Sequence, residues 1–130
     1  MILLDTNICI YVMRERELTL MQKFESLAAE LSVSIVTVAE LEYGVERSLQ
    51  RIKNAKALEA FLVNVKIEPW DRACAKQYAK IRNATRAQPV GAEDLMIAAC
   101  AMARSAVLVT NNTREFQRIS GLKLENWVTN

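Results

Sequence analysis

The chain has 130 residues, of which 52% are hydrophobic and 25% are charged, and it contains no histidine. This size and composition are typical of one globular domain, which we expect to span residues 1–130 and to need no metal or disulfide cross-links. The absence of histidine excludes Ser-His-Asp and Cys-His catalytic sites, and also zinc sites that use imidazole. Any chemistry must therefore depend on carboxylates, hydroxyl groups, Lys, Arg or a bound cation.

The cysteines and the apolar segments are typical of a protein of a reducing compartment. Cys9, Cys74 and Cys100 are odd in number, far apart and set among apolar neighbours, which predicts reduced core thiols. The longest apolar run covers the nine residues 95–103, which is too short to span a membrane. We therefore expect a cytoplasmic protein with no signal peptide and no membrane contact.

Short apolar segments alternate with longer helical patterns along the chain. The predicted strands cover residues 2–4, 33–36, 65–67 and 107–109. The predicted helices cover residues 8–13, 18–31, about 38–48, 54–62, 71–86, 92–104 and 114–119, and residues 122–127 close the chain. This alternation predicts βαβ units, and strands that are apolar on both faces predict helices on both sides of the sheet. The expected fold is α/β, a three-layer α/β/α sandwich with a central, mostly parallel sheet.

Polar side chains follow the predicted strands, at the edge where open parallel sheets place their ligand sites. They are Asp5 after the first strand, Thr37 and Glu40 after the second, Glu93 or Asp94 at the start of the Ala-rich helix, and Thr110, Asn111, Asn112 and Glu115 after the strand at 107–109. If the sheet is parallel, these positions converge in space.

Each of these residues also has a purely structural interpretation. Asp5 can cap the next helix, and Thr37 followed by Glu40 has the spacing of a capping box that would start a helix at about residue 38. An acid at position 93 or 94 complements the helix dipole, and Glu115 can be a solvated surface residue. The combination of all these residues at one edge, rather than any single one, favours a functional site.

A cluster of carboxylates needs protons or a cation. Two carboxylates ~4 Å apart repel each other by about 4 kcal/mol at an effective dielectric constant near 20. A site made only of oxygen ligands suits Mg²⁺ or Mn²⁺. Such ions assist displacement at phosphorus without a protein nucleophile, which agrees with the missing histidine.

Four segments stand in a characteristic order along the chain: LDTN at residues 4–7, TVAELEYG at 37–44, PVGAEDLMIA at 89–98 and LVTNNTREF at 108–116. Together they resemble the PIN-domain ribonucleases, and among these the VapC toxins of bacterial toxin–antitoxin pairs. The resemblance covers nearly the whole chain. One segment alone is a weak signal, whereas four in this order are specific.

The resemblance implies roles for individual positions. Asp5, Glu40 and Asp94 match the three principal metal-binding acids of the family, for Mg²⁺ with Mn²⁺ as a substitute, and this match selects Asp94 over Glu93. Glu115 resembles a further catalytic acid, and Asn112 stands where many PIN domains have a fourth acid. Thr6, Asn7 and Thr110 resemble residues that orient the acids or the attacking water.

The function implied is a toxic, metal-dependent endoribonuclease. Relatives of this type cut structured RNA and leave a 5′-phosphate, and the leading substrate is the anticodon stem-loop of initiator tRNA. The implied partners are a cognate VapB-type antitoxin, a second toxin subunit in a homodimer, and operator DNA bound only through the antitoxin in a toxin–antitoxin hetero-oligomer.

Four arginines are candidates for binding RNA phosphates. Arg47 and Arg51 belong to a basic stretch at the end of the predicted helix of Glu40, and Arg82 and Arg86 lie one helical turn apart. Solvated helix faces are the alternative interpretation, because the net charge of +2 does not by itself indicate nucleic acid. Two other functions also stay open: a PIN nuclease that acts on rRNA, mRNA or DNA outside a toxin–antitoxin system, and a binding module without activity.

Overall fold

The computed structural model describes residues 1–15 and 17–128. In this part of the chain, five strands form one sheet in the order β3-β2-β1-β4-β5, and each neighbouring pair is parallel. The strands are β1 (Ile2–Leu4), β2 (Leu31–Ser34), β3 (Lys66–Glu68), β4 (Val107–Val109) and β5 (Lys123–Glu125). The predicted parallel sheet is confirmed, and its fifth strand lies in the closing segment 122–127, where the sequence predicts no particular element.

Helices cover both faces of this sheet. They are α1 (Thr6–Met13), α2 (Leu18–Ser26), α3 (Ile35–Glu46), α4 (Arg51–Leu62), α5 (Arg72–Ala84), α6 (Ala92–Arg104) and α7 (Thr113–Phe116), with a 3-10 turn at Ala28–Glu30. No helix within the described ranges is both long and apolar enough to cross a membrane.

Alternation along the central strands divides the core into two layers. Leu3 and Leu108 are fully buried on the side of α5, α6 and α7. Their neighbours Leu4 and Val109 are fully buried on the other side, against α1 to α4. Successive side chains of a strand point to opposite faces, so two-sided apolar strands require helices on both sides. The three-layer α/β/α architecture is confirmed.

The start of α3 differs from the prediction. The helix begins at Ile35, and its N-cap is Ser34, whose Oγ accepts a hydrogen bond from Val36 N at 3.1 Å. Thr37 therefore lies inside the helix, and its assignment as the N-cap is wrong. The capping-box spacing of Thr37 and Glu40 was misleading because Ser34, three residues earlier, is an equally good cap and ends the strand.

The other differences are shifts of element ends. The helix expected over residues 18–31 ends at Ser26, because a 3-10 turn leads directly into β2. Asp71 is not the first residue of α5 but its N-cap, accepting a hydrogen bond from Cys74 N at 3.2 Å. The predicted bounds of α6 and β4 agree with the structure.

Candidate active site at the carboxyl edge of the sheet

Asp5 stands directly after β1 and is only 3% exposed. Its backbone N–H donates to Val109 O at 3.0 Å, which keeps it in register with the end of β4. Its Oδ1 accepts from Ile8 N at 2.9 Å, so Asp5 is the N-cap of α1, and the Thr110 side chain also hydrogen-bonds to it. Burial raises the pKa of Asp5 above its usual value, and these two hydrogen bonds partly offset that effect.

Glu40 reaches the same edge from the second turn of α3. Thr6 Oγ1 donates to Glu40 Oε1 at 2.7 Å, and Thr37 Oγ1 lies 3.3 Å from Thr6 Oγ1. Thr37 is completely buried and stands one helical turn before Glu40. Sequence reasoning missed this supporting role of Thr37, although its spacing of three residues from Glu40 on one helix face was a usable signal.

Asp94 is the third residue of α6 and is half-buried. Burial, followed by the charges of Glu115, Asp5 and Glu93, raises the pKa of Asp94 to about 6. Burial also raises the pKa of Glu40, with further contributions from Glu93 and Asp94. Carboxylates from four separate segments of the chain therefore interact electrostatically at this edge, as expected for residues that follow the strands of a parallel sheet.

Glu115, on α7, is held by hydrogen bonds to both of its carboxylate oxygens. Its Oε1 accepts from Gly91 N at 2.7 Å, and its Oε2 accepts from Asn112 Nδ2 at 3.1 Å. These two bonds lower the pKa of Glu115, with the Gly91 bond contributing most. Asn112 N in turn donates to Thr110 Oγ1 at 2.9 Å, so Asn112 connects Glu115 with the residue that supports Asp5.

A groove with a volume of about 750 Å³ opens beside these acids between α1, α3 and α4. Thr6, Asn7, Glu40 and Glu93 line its polar end. Arg47 lines the same groove and lies over the Tyr43 ring, 5.6 Å from the ring centroid. The exposed Asn7 and Arg47 are thus brought to one cavity with Glu40.

The other candidate arginines lie elsewhere. Arg82, on α5, and Arg86, two residues beyond the end of that helix, line a second cavity of about 440 Å³ together with Pro89 and Ala92, beside the start of α6. Arg51 lies outside both cavities and pairs with the exposed Glu46 at 3.1 Å.

The donor set at this edge suits a hard divalent cation. Among residues 1–15 and 17–128, no Lys or Arg forms an ion pair with Asp5, Glu40, Glu93, Asp94 or Glu115. Within the same ranges, no three acidic or Cys side chains are already spaced to hold one ion. The support for a cation site is therefore the concentration of oxygen ligands and of unneutralised negative charge.

Comparison with known proteins identifies the family. The PIN domain matches residues 2–122. The chain is 38% identical over 127 residues to tRNA(fMet)-specific endonuclease VapC of Shigella flexneri, covering 96% of each, and 39% identical over 128 residues to ribonuclease VapC2 of Haemophilus influenzae, covering 97% of each.

Solved structures of related proteins support the same family assignment. VapBC2 from Rickettsia felis, bound to a fragment of its promoter DNA, superposes with a TM-score of 0.91 at 36% identity, covering 98% of this chain and 99% of that one. DNA-bound VapBC from Salmonella typhimurium superposes with a TM-score of 0.93 at 35% identity and the same coverage. The chain therefore belongs to the PIN-domain family and, within it, to the VapC ribonucleases.

Proposed function

We propose that this chain, as a single PIN domain, is the toxic endoribonuclease of a toxin–antitoxin module and hydrolyses phosphodiester bonds in structured RNA. The observation that carries the proposal is the group of interacting carboxylates, Asp5, Glu40, Asp94 and Glu115, at the carboxyl edge of the sheet. Glu40 of this group lines an open groove, and the chain belongs to the VapC ribonucleases. Because the chain has no histidine, carboxylates with raised pKa values are the natural groups for acid–base chemistry at this site.

Mg²⁺ is the proposed cofactor, and Mn²⁺ can substitute for it. Asp5, Glu40 and Asp94 would hold the ion, because each carries an oxygen donor whose charge is poorly compensated by the protein. When bound, the ion would activate water and stabilise the negative charge that develops on the phosphodiester.

The protein's own hydroxyl groups orient these acids. Thr110 and Ile8 N–H fix the Asp5 carboxylate, and the Thr6 hydroxyl fixes one oxygen of Glu40. Ligands held in this way lose little conformational freedom when a cation binds. Asn7 is exposed at the polar end of the groove, where it can contact the substrate or the attacking water.

The proposed substrate is the anticodon stem-loop of initiator tRNA. The printed names of the Shigella flexneri and Salmonella typhimurium relatives specify tRNA(fMet). Arg47 in the groove, and Arg82 and Arg86 beside the start of α6, would contact phosphates of the RNA. Arg51 is a weaker candidate because Glu46 already neutralises it.

The proposed partners follow from the VapBC complexes that this structure resembles. They are a VapB-type antitoxin, a second copy of the toxin, and operator DNA contacted through the antitoxin. We place this assembly in the cytoplasm, where its RNA substrate is found.

The test is cleavage of a bulk tRNA fraction by antitoxin-free protein in Mg²⁺, Mn²⁺ or EDTA. We expect one discrete, metal-dependent cut in initiator tRNA that is lost in Asp5→Asn and Asp94→Asn. Glu25→Gln, an exposed change on α2, is the matched control and should cleave normally. Cleavage of rRNA, mRNA or DNA instead would overturn the tRNA assignment, and no cleavage of any nucleic acid would overturn the enzyme assignment.

A further inference from the structure

The N-terminus of α6 is capped by a side chain from another helix. The N-cap residue is Gly91, which has no side chain to accept the orphan N–H groups of the first turn. The N–H of Gly91 donates instead to Glu115 Oε1 at 2.7 Å. Glu115 lies on α7, 24 residues further along the chain.

Because of this contact, Asp94 is not needed to cap α6. With Gly91 as the N-cap, Asp94 occupies the third helical position, where the acid of a capping box accepts the N–H of the N-cap residue. Glu115 already occupies that N–H. In the described part of the chain, no hydrogen bond reaches the Asp94 carboxylate, so both of its oxygens are free.

A second contact ties the same two segments together. Arg118, just beyond α7, donates from Nη1 to Pro89 O at 3.0 Å. Glu115 and Arg118 therefore hold the loop at 89–91 at two points. The other oxygen of Glu115, Oε2, is occupied by Asn112 Nδ2 at 3.1 Å.

We propose that Glu115 is a positioning residue that caps α6 in place of Asp94 and so keeps the Asp94 carboxylate available for the site. The inference rests on the proposed function, since it assigns Asp94 to the metal. In this role Glu115 is a hydrogen-bond acceptor of the right reach to Gly91 N, and it is not one of the three proposed metal ligands.

Three substitutions separate this role from that of a metal ligand. Glu115→Gln keeps the length and an acceptor oxygen for Gly91 N, and the Asn112 amide can turn over to face the new amide. Glu115→Asp keeps the charge but is too short to reach Gly91, and Glu115→Ala loses both. We expect Glu115→Asp and Glu115→Ala to lose roughly 10- to 100-fold in RNA cleavage, and Glu115→Gln to lose less than either of them. The opposite order, with Glu115→Asp active and Glu115→Gln inactive, or equal losses in all three variants, would overturn the proposal.

A second readout needs neither metal nor RNA. Hydrogen exchange of the Gly91 amide in the metal-free protein should be slow in wild type and Glu115→Gln, and at least about tenfold faster in Glu115→Asp and Glu115→Ala, because losing this hydrogen bond opens the first turn of α6. Fast exchange in wild type, or equal exchange in all four proteins, would refute the cap. If wild type fails to cleave RNA, the proposed function fails, and the exchange rates still decide the capping role.

Discussion

Asp5 combines two roles that usually fall to different residues. It is the N-cap of α1 through Ile8 N, and it contributes a buried charge to the acidic site. Asparagine is as good an N-cap as aspartate, but it carries no charge. The two roles can therefore be separated by substitution.

We predict that Asp5→Asn abolishes cleavage while leaving the metal-free protein as stable as wild type or slightly more stable. The cap is retained, and a charge is removed from a repulsive cluster. Asp5→Ala should lose about 1 kcal/mol of unfolding free energy, because Ile8 N loses its acceptor. Urea denaturation in EDTA measures both values. A clear loss of stability in Asp5→Asn would mean that the charge itself is structural.

Asp94 gives the metal-free protein a pH dependence of definite sign. Its folded-state pKa of about 6 lies above the ordinary value of 3.8, so between these values the folded state binds more protons than the unfolded state. Stability therefore falls as pH rises through this window, and the penalty is complete above pH ~6. The full shift would correspond to about 3 kcal/mol, but Asp94 is only half-buried and solvent screening reduces this to about 1 kcal/mol.

We predict that Asp94→Asn is more stable than wild type by about 1 kcal/mol at pH 7.5 in EDTA and nearly equal to it at pH 4. Unfolding free energies measured at several pH values check this difference. The unfolding free energy of Glu25→Gln should change with pH in the same way as that of wild type, because Glu25 is exposed on α2 and lies outside the cluster. An advantage for Asp94→Asn that grows toward low pH would contradict the assigned sign.

At the scale of single elements, the predictions from sequence succeeded where several signals agreed. The bounds of α6 and β4 agree with prediction, since a long Ala-rich helix and a short β-branched strand each have one consistent pattern. The predicted start of α3 was wrong because two capping signals, Ser34 and Thr37, lie three residues apart. Only the end of the strand pairing at Ser34 decides between them.

The positions of Asp5 and Glu40 were predictable, because each follows a strand of a parallel sheet. The hydrogen bond between Gly91 N and Glu115 was not predictable, because it depends on how α7 packs beside the loop before α6. No local pattern in the sequence encodes that contact. Sequence reasoning therefore located the acids but could not assign each of them its own task.

The revised start of α3 leads to a prediction of its own. Ser34→Ala should lose about 1 kcal/mol of unfolding free energy, because Val36 N loses its acceptor. Ser26→Ala is the control: its exposed hydroxyl donates to Lys23 O within its own helix, so its effect should stay within about 0.5 kcal/mol. Thermal or urea unfolding measures both. Equal stability of Ser34→Ala and wild type would show that the helix does not depend on this cap.

At the scale of the whole molecule, the fold keeps mutually repelling acids together. The two apolar layers around Leu3 and Leu4 fix the sheet, and the sheet fixes the strand ends from which Asp5 and Thr110 project. Helices α3, α6 and α7 add the remaining carboxylates. The stability of the core thus offsets the electrostatic cost of the metal-free site.

A divalent cation bound by these carboxylates should offset their mutual repulsion and so raise the unfolding free energy of the protein. A ligand that binds only the folded state stabilises it by about 2.7 kcal/mol at 100 times its Kd, which for a domain of this size is a rise in Tm of roughly 10 °C. We predict a saturable rise of this order when Mn²⁺ or Mg²⁺ is added to wild type and to Glu25→Gln. Asp5→Asn and Asp94→Asn should show little or none, because each removes a proposed ligand.

Differential scanning calorimetry across a Mn²⁺ titration measures this effect, with Ca²⁺ as a comparison for ion size. An increase of the same size in all four proteins would place the cation elsewhere on the molecule. No increase in wild type would favour the alternative of a binding module without metal-dependent activity. A rise confined to proteins with intact Asp5 and Asp94 would connect the raised pKa values of these carboxylates to the ion that they are arranged to hold.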